Sequence, residues 1–125
     1  MTLELPEPGY VAIGGCCGSL LRYLITGWIP SLPGTFIVNF AGSVAIGFLM
    51  YESVYLGGFS RQTRLLFGAG VIGSFTTFSA FAAQTLTAGP VWGLISVIAH
   101  LCCGLAGVSL GRHIIISQRG PGWKI

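Results

Sequence analysis

The feature that most constrains this chain is a long apolar segment that occurs four times, each copy separated from the next by a short polar or Gly/Pro-containing stretch. A helix rises about 1.5 Å per residue, so about 20 apolar residues cross a hydrocarbon core about 30 Å thick. The chain has 125 residues, only 7% of them charged, which leaves little for a soluble domain. The sequence therefore predicts a single all-α membrane domain with spans at about residues 9–28, 34–55, 62–87 and 90–116.

Charge and the N-terminal sequence exclude two other classes of protein. The first ten residues, MTLELPEPGY, contain Glu4 and Glu7 but no base, unlike a secretory signal, so we expect the first span to be retained. The six basic residues are dispersed along the chain and form no basic patch. Nucleic acid is therefore not an expected partner, whereas the lipid bilayer is.

Catalytic and metal-binding motifs are absent from the sequence. It contains no Asp, no His-Glu metal motif and no nucleophile elbow, so we do not expect an enzyme. The cysteines form two adjacent pairs, Cys16-Cys17 and Cys102-Cys103, without the spacing and histidines of a zinc site. We expect them to pack between helices as small, weakly polar residues.

Small residues and short loops indicate how the helices pack. Gly14 and Gly18 form a G-x-x-x-G pattern in span 1, as do Gly107 and Gly111 in span 4. Such spacing lets helix backbones approach closely in lipid. The loops at 29–33 and 88–90 are very short, so their flanking helices should be antiparallel neighbours.

Polar residues follow one face of span 2. Thr35, Asn39 and Ser43 recur every four residues, which places them in one stripe. In hydrocarbon an unsatisfied polar group costs several kcal/mol, so each must find a partner or line a wet path. For Asn39 both an interhelical hydrogen bond and a place on a polar pathway are open.

Span 4 contains an intramembrane histidine. His100 follows Ser96 by four residues, so the two share a helix face. Ionisable groups at this depth are functional candidates, although a neutral imidazole bonded to a neighbouring helix is an equal alternative. His113 lies near the end of the span and is expected at the interface.

The middle of span 3 reads GVIGSFTTFSAFAAQT, with phenylalanines at 75, 78 and 81 that should lie roughly on one side of a helix. Glycine and β-branched residues crowd the midpoint and weaken regular helix there. The weak point comprises Gly73, Ser74, Thr76 and Thr77. We expect a local break, whose freed backbone groups are tolerated only if they are buried in protein or bind something.

The charged residues narrow the kind of transport. Only Arg22 and Glu52 are candidates for embedding, and both lie towards span ends. A proton-coupled antiporter needs an acid that loads and releases protons within the bilayer, and no carboxylate lies at mid-membrane. Amide and hydroxyl donors with positive aromatic edges suit an anion, which these features do not identify.

Three segments carry a family resemblance over nearly the whole chain: GGCCGSLLRY in span 1, PGTFIVNFAGS leading into span 2, and GSFTTFSAF in span 3. In these segments the sequence resembles the Fluc (CrcB) family of small fluoride channels. The resemblance implies passive export of cytoplasmic fluoride across the plasma (inner) membrane, and hence fluoride resistance. It also implies an antiparallel dimer with two pores and dual insertion.

The resemblance also implies roles for individual residues. The ring edges of Phe78 and Phe81 would contact fluoride, and Arg22 would lie near an aqueous vestibule. Backbone carbonyls of Gly73 and Thr76, from both subunits, would hold a structural sodium ion. The remaining implied pore residues are Asn39, Ser43, Thr77, Ser79, Ser96 and His100.

The chain departs from the family pattern at several pore positions. Gln84 stands where the family usually has a glutamate, and Ala82 replaces the second serine of the TTFSTFS string. In span 4 the family commonly has a tyrosine and then a serine, where this chain has Ser96 and His100. These departures leave conduction by the chain alone an open question.

The basic residues bear on orientation, because the Lys/Arg bias sets how a chain inserts. Five of them are predicted on the side of the termini and the second loop, namely Arg61, Arg64, Arg112, Arg119 and Lys124, with only Arg22 towards the other. This bias favours one fixed orientation with cytoplasmic termini. A homodimer and a heterodimer with an oppositely inserted paralogue both stay open, as do a proton-coupled multidrug exporter and a non-conducting partner subunit.

Overall fold

The computed structural model describes residues 5–118 and contains four helical segments long and apolar enough to cross a membrane. They are α1 (Glu7–Trp28), α2 (Ser31–Tyr55), a third span Arg61–Thr87 and a last helix Pro90–Ser117. The third span consists of α3 (residues 61–75) and α4 (Phe78–Thr87), and the last helix is α5. The predicted all-α fold with a broken third helix is confirmed. The predicted polar tail from residue 119 on, with Arg119 and Lys124, lies outside the described residues.

The ends of the helices follow from proline and glycine. Pro6 precedes α1, and Pro90 occupies the first turn of α5, where its missing N–H is not needed. Gly89 connects α4 to α5 with φ of 85°, a conformation that glycine adopts without steric cost. The predicted Gly-Pro turn therefore lies where the sequence indicates it.

The closest packing is between alternate helices, α1 with α3 and α2 with α5. A Cβ on Gly14 would lie 2.9 Å from Gly70 Cα, and one on Gly107 would lie 3.0 Å from Ser43 Cβ. The glycine patterns thus allow close backbone approach, as predicted. The short loops do join helices that contact each other. These sequential pairs pack less extensively than α1 with α3 and α2 with α5, because the glycine-rich helix faces (the glycine ridges) are turned towards those partners.

The start of α1 and the start of the third span lie at the same end of the bundle. Arg61 Nε lies 2.8 Å from Glu7 Oε1, in an ion pair whose side chains are 70% and 57% exposed. At that exposure the pair adds little stability, but it fixes which ends are adjacent. At the same end, Glu52 Oε1 accepts a hydrogen bond from Gly58 N at 2.9 Å and holds the loop after α2.

Most large apolar side chains of the bundle point outward, as expected where lipid or a second chain replaces water. The fully or nearly buried hydrophobic residues of the described chain are Val38, Leu49 and Ile115. Cys16, Cys17 and Cys102 are exposed. Within one chain these three cysteines therefore do not pack between helices, whereas Cys103 is half-buried and lines a small cavity against α2.

Candidate functional site at the break in the third span

The third span loses its helical conformation at Thr76 and Thr77. Thr76 has φ −75° and ψ 157°, and Thr77 has φ −146° and ψ 123°, so both are extended. The preceding segment, Leu65–Ile72, is π-helical, a rare conformation that often marks functional sites. The break separates Phe75 from the phenylalanines after it, so the predicted shared helix side applies only to Phe78 and Phe81.

The Asn39 side chain on α2 pairs with the backbone that the break exposes. Asn39 Nδ2 donates to the Thr77 carbonyl at 3.0 Å, and Thr77 N donates to Asn39 Oδ1 at 2.8 Å. The carboxamide thus pairs with both backbone hydrogen-bonding groups of Thr77 across the helix interface. One of its two N–H hydrogens is left to face another group.

The Thr77 hydroxyl caps the second half of the span. Its Oγ1 accepts a hydrogen bond from Ala80 N at 3.2 Å and lies 3.3 Å from Ser79 Oγ. A threonine at this position satisfies an amide that the first turn of α4 leaves without a partner. The Thr77 and Ser79 hydroxyls use one hydrogen between them, so one hydroxyl hydrogen of this pair stays available for another acceptor.

These two sets of hydrogen bonds release two carbonyls at mid-span. In a continuous helix, Thr77 N would bond the Gly73 carbonyl and Ala80 N the Thr76 carbonyl. Both amides are diverted, the first to Asn39 and the second to the Thr77 hydroxyl. Carbonyl oxygens are the ligands that hard cations prefer, so Gly73 and Thr76 offer two such ligands per chain.

Arg22 lies beside the break. Its Nη1 donates to the Thr76 carbonyl across a long 3.4 Å, and this is the contact that links α1 to the extended segment. The guanidinium therefore brings a positive charge to the middle of the third span.

A groove of about 480 Å³ runs along the break and is open on one face of the chain. Phe78 lies at its edge and is 78% exposed, with its ring centroid 5.8 Å from that of Phe81. Six of the predicted site residues line the groove: Asn39, Ser43, Gly73, Thr76, Thr77 and Phe78. The structure thus brings the polar stripe of α2 and the break of the third span to one surface.

A second cluster surrounds His100. The His100 ring centroid lies 4.4 Å from that of Phe81, and His100 Nδ1 lies 2.9 Å from the Ser96 carbonyl. Ser96 Oγ in turn lies 3.3 Å from Thr85 Oγ1. A cavity of about 20 Å³ separates this ring from α2, and Asn39 and Ser43 line both it and the open groove. Phe81 connects the groove to this cluster, because its ring contacts both Phe78 and His100.

Three polar residues of α2 and α4 have different surroundings from one another. Thr35 is fully buried and does not line the groove, so the stripe on α2 ends at Asn39. Ser43 Oγ donates to the Asn39 carbonyl at 2.8 Å, so its hydrogen is already used. Gln84 replaces the acid of the family pattern, and its Oε1 is buried without a partner among the described residues.

Sequence reasoning missed two contacts that position the break. Ser74 Oγ lies 2.9 Å from the Gly15 carbonyl of α1 and 2.7 Å from the Gly70 carbonyl of its own helix, so its one hydrogen is shared between carbonyls and the side chain brings α3 into polar contact with α1. Gly42 lets the Thr76 methyl group lie directly against α2. The signal for Gly42 is its place three residues after Asn39, on the same helix face. No sequence signal identifies Gly15 as the partner of Ser74.

Comparisons with known proteins agree with the motifs. The model of the family described as CrcB-like protein, Camphor Resistance (CrcB), matches residues 9–112. A protein of Methanospirillum hungatei named Fluoride-specific ion channel FluC 1 is 60% identical over 125 residues, which cover 100% of this chain and 89% of that protein. A FluC 1 protein of Haloarcula marismortui is 40% identical over 90% of this chain and 87% of its own length. A FluC protein of Thermotoga maritima is 36% identical over 82% of this chain and 91% of its own length.

Proposed function

This chain belongs to the CrcB-like protein family, and on that premise we propose that it forms a passive, fluoride-selective channel. Relatives along the whole chain bear the name of a fluoride-specific ion channel, which is a transporter and not an enzyme. The observation that carries the proposal is the groove at the helix break. Uncharged donors and a phenylalanine line it, and no carboxylate does.

The chemistry of the groove suits a small, strongly hydrated anion. Fluoride gives up its water only where closely spaced donors replace it. The second N–H of Asn39 and the available hydroxyl hydrogen of the Thr77 and Ser79 pair can serve as such donors. Edge contacts with Phe78 and Phe81 are weaker than these hydrogen bonds, so they guide the ion more than they bind it. Chloride is larger and fits such a site less well.

A second chain is needed to complete the pathway. The groove is open along one face, and Phe78 at its edge is 78% exposed. The break lies near the middle of the third span, so a copy inserted in the opposite orientation would bring break against break at one depth. We propose an antiparallel dimer with two pores, in which Ser96, His100 and Phe81 line the path beyond Phe78 and an aqueous vestibule reaches inward to Arg22 beside the break.

The same arrangement supports a structural sodium ion. The Gly73 and Thr76 carbonyls supply two oxygen ligands per chain, and two antiparallel copies supply four. A sodium ion bound by carbonyls of both chains would hold the two helix breaks together and place a fixed positive charge between them. Arg22 Nη1 lies 3.4 Å from the Thr76 carbonyl oxygen, which is long for a hydrogen bond. A bound cation could therefore replace this weak contact.

Export follows from the chemistry of the ion. Fluoride enters cells as neutral HF and is trapped as the anion at cytoplasmic pH, so a passive channel in the plasma membrane lets it leave. Expression in a fluoride-sensitive strain should therefore restore growth in fluoride medium, and Asn39→Ala should not. Growth that is equally restored by Asn39→Ala would contradict the proposed pathway.

Native mass spectrometry tests the assembly. The chain purified alone from sodium buffer should give a dimer of identical chains that retains one sodium ion. Exchange of sodium for a bulky organic cation should remove the ion and reduce fluoride flux. If the chain alone is monomeric and inert, and flux appears only on co-expression with a second four-span protein, the heterodimer replaces the homodimer. Drug uptake driven by a pH gradient would favour the exporter instead.

A further inference from the structure

We propose that His100 forms a proton-controlled binding site for a small anion on the pathway, so that fluoride binds there when the ring is protonated and not when it is neutral. This inference rests on the proposed fluoride channel. It assigns to the His100 ring a control function that an uncharged serine or tyrosine at this place in α5 cannot have, because neither changes charge near neutral pH.

The tautomer of the neutral ring follows from its hydrogen bond. His100 Nδ1 lies 2.9 Å from the Ser96 carbonyl, and a carbonyl oxygen only accepts, so Nδ1 carries the hydrogen. Nε2 then holds a lone pair in the neutral ring. Within residues 5–118, this nitrogen is buried and has no hydrogen-bond partner. A buried lone pair repels an anion, whereas a second N–H at the same atom would bind one.

The space next to the ring is small enough for one ion. The cavity of about 20 Å³ that His100 shares with Asn39 and Ser43 has room for about one water-sized particle. A fluoride ion is no larger than a water molecule. Because Asn39 and Ser43 also line the open groove, the cavity lies next to the donors already assigned to the pathway.

In the part of the chain that the structure describes, aromatic rings and no acidic side chain lie next to the His100 ring. From α4, Phe81 lies 4.4 Å away between ring centroids, and from α2, Phe36 lies 5.2 Å away. Among the described residues that line the cavity or contact the ring, from α2, α4 and α5, only Cys103 is ionisable besides His100, and ordinary thiols lose their proton above the range in which histidine titrates. The anion itself is then the counter-ion of the protonated ring.

The consequence is reciprocal coupling between protons and fluoride. Protonation exchanges an acceptor for a charged donor, which should raise fluoride affinity at this site by about tenfold or more. By linkage, fluoride must raise the proton affinity of the ring by the same factor. Flux through the pathway should therefore rise as pH falls from 8 to 5, the range in which histidine changes charge.

The first experiment measures fluoride efflux from liposomes at pH values from 8 to 5, after subtraction of efflux from protein-free liposomes, which accounts for HF. The wild-type chain should speed up on acidification. His100→Gln keeps a polar side chain that cannot titrate and should give a flat profile. His113→Gln, at an exposed site near the end of α5, should keep the wild-type slope. A flat wild-type profile, or a slope that His100→Gln retains, overturns the proposal.

The second experiment does not need flux or the His100 variant to fold. In the His113→Gln protein, His100 is the single histidine of the sequence, so its ring carbon NMR signal can be titrated with fluoride, with chloride and with neither. Fluoride should raise the midpoint and chloride should leave it unchanged. A midpoint that fluoride does not move overturns the proposal. If fluoride moves the midpoint but the reconstituted chain releases no fluoride at any pH, the proposed channel function fails and the anion site stands.

Discussion

Removal of the Asn39 carboxamide tests the account of the helix break. In Asn39→Ala, the Thr77 N–H and C=O both lose their partners on α2. A buried backbone group left unpaired costs about 1–3 kcal/mol, although hydrogen bonds between membrane helices average nearer about 0.6 kcal/mol each. The two losses together therefore amount to between about 1 and 6 kcal/mol. Thr77 is only 8% exposed, so water compensates poorly, and we expect a destabilisation of about 2–4 kcal/mol.

The measurement is reversible unfolding in mixed detergent micelles, followed by circular dichroism as the denaturing detergent increases. Ser53→Ala is the matched control, because Ser53 lies on the same helix and donates to its own helix, to the Leu49 carbonyl at 2.9 Å. It should change the free energy of unfolding by less than about 0.5 kcal/mol. If Asn39→Ala is no more destabilising than Ser53→Ala, the carboxamide does not hold the break and the reasoning is refuted.

Two further predictions concern packing and the pathway. Gly14→Ala should destabilise the fold by about 1–3 kcal/mol, because its Cβ would lie 2.9 Å from Gly70 Cα. A Cβ on Gly15 would meet no atom within 4 Å, so Gly15→Ala should be neutral or stabilising. Equal effects of the two variants in the same unfolding assay would contradict the packing of α1 on α3. Phe78→Ala should slow fluoride efflux from liposomes by about 2- to 10-fold, the equivalent of one aromatic contact, while Phe67→Ala, on the same span but outside the groove, should leave it unchanged. A loss of flux in Phe67→Ala alone would place the path elsewhere.

The sequence predicts the helices well because lipid permits so few solutions. Within lipid, the backbone groups of each segment must hydrogen-bond within that segment, so the length of the apolar segments and the glycines and prolines between them suffice to locate four spans. The break was predictable because glycine and threonine at 73–77 weaken the helix near the middle of the span, where the leucines of an ordinary lipid-facing segment would stabilise it.

The partners across helices were less predictable. For Asn39, the stripe on α2 indicated the face but left two roles open, and only the three-dimensional structure identifies the Thr77 backbone as its partner. Loop length predicted sequential packing, yet glycine ridges place α1 against α3 and α2 against α5. Such pairings depend on complementary surfaces that are distant in sequence, and periodicity within one helix carries no information about the opposite surface.

Anion efflux from liposomes that contain only the purified chain tests whether this chain builds a path for fluoride. Liposomes loaded with equal fluoride and chloride are diluted into anion-free buffer, and both ions are followed with selective electrodes. Fluoride should be lost rapidly and chloride retained as in protein-free liposomes, because the donors at Asn39 and Thr77 match the smaller ion. Equal loss of both anions from a correctly assembled dimer would contradict a fluoride-selective path.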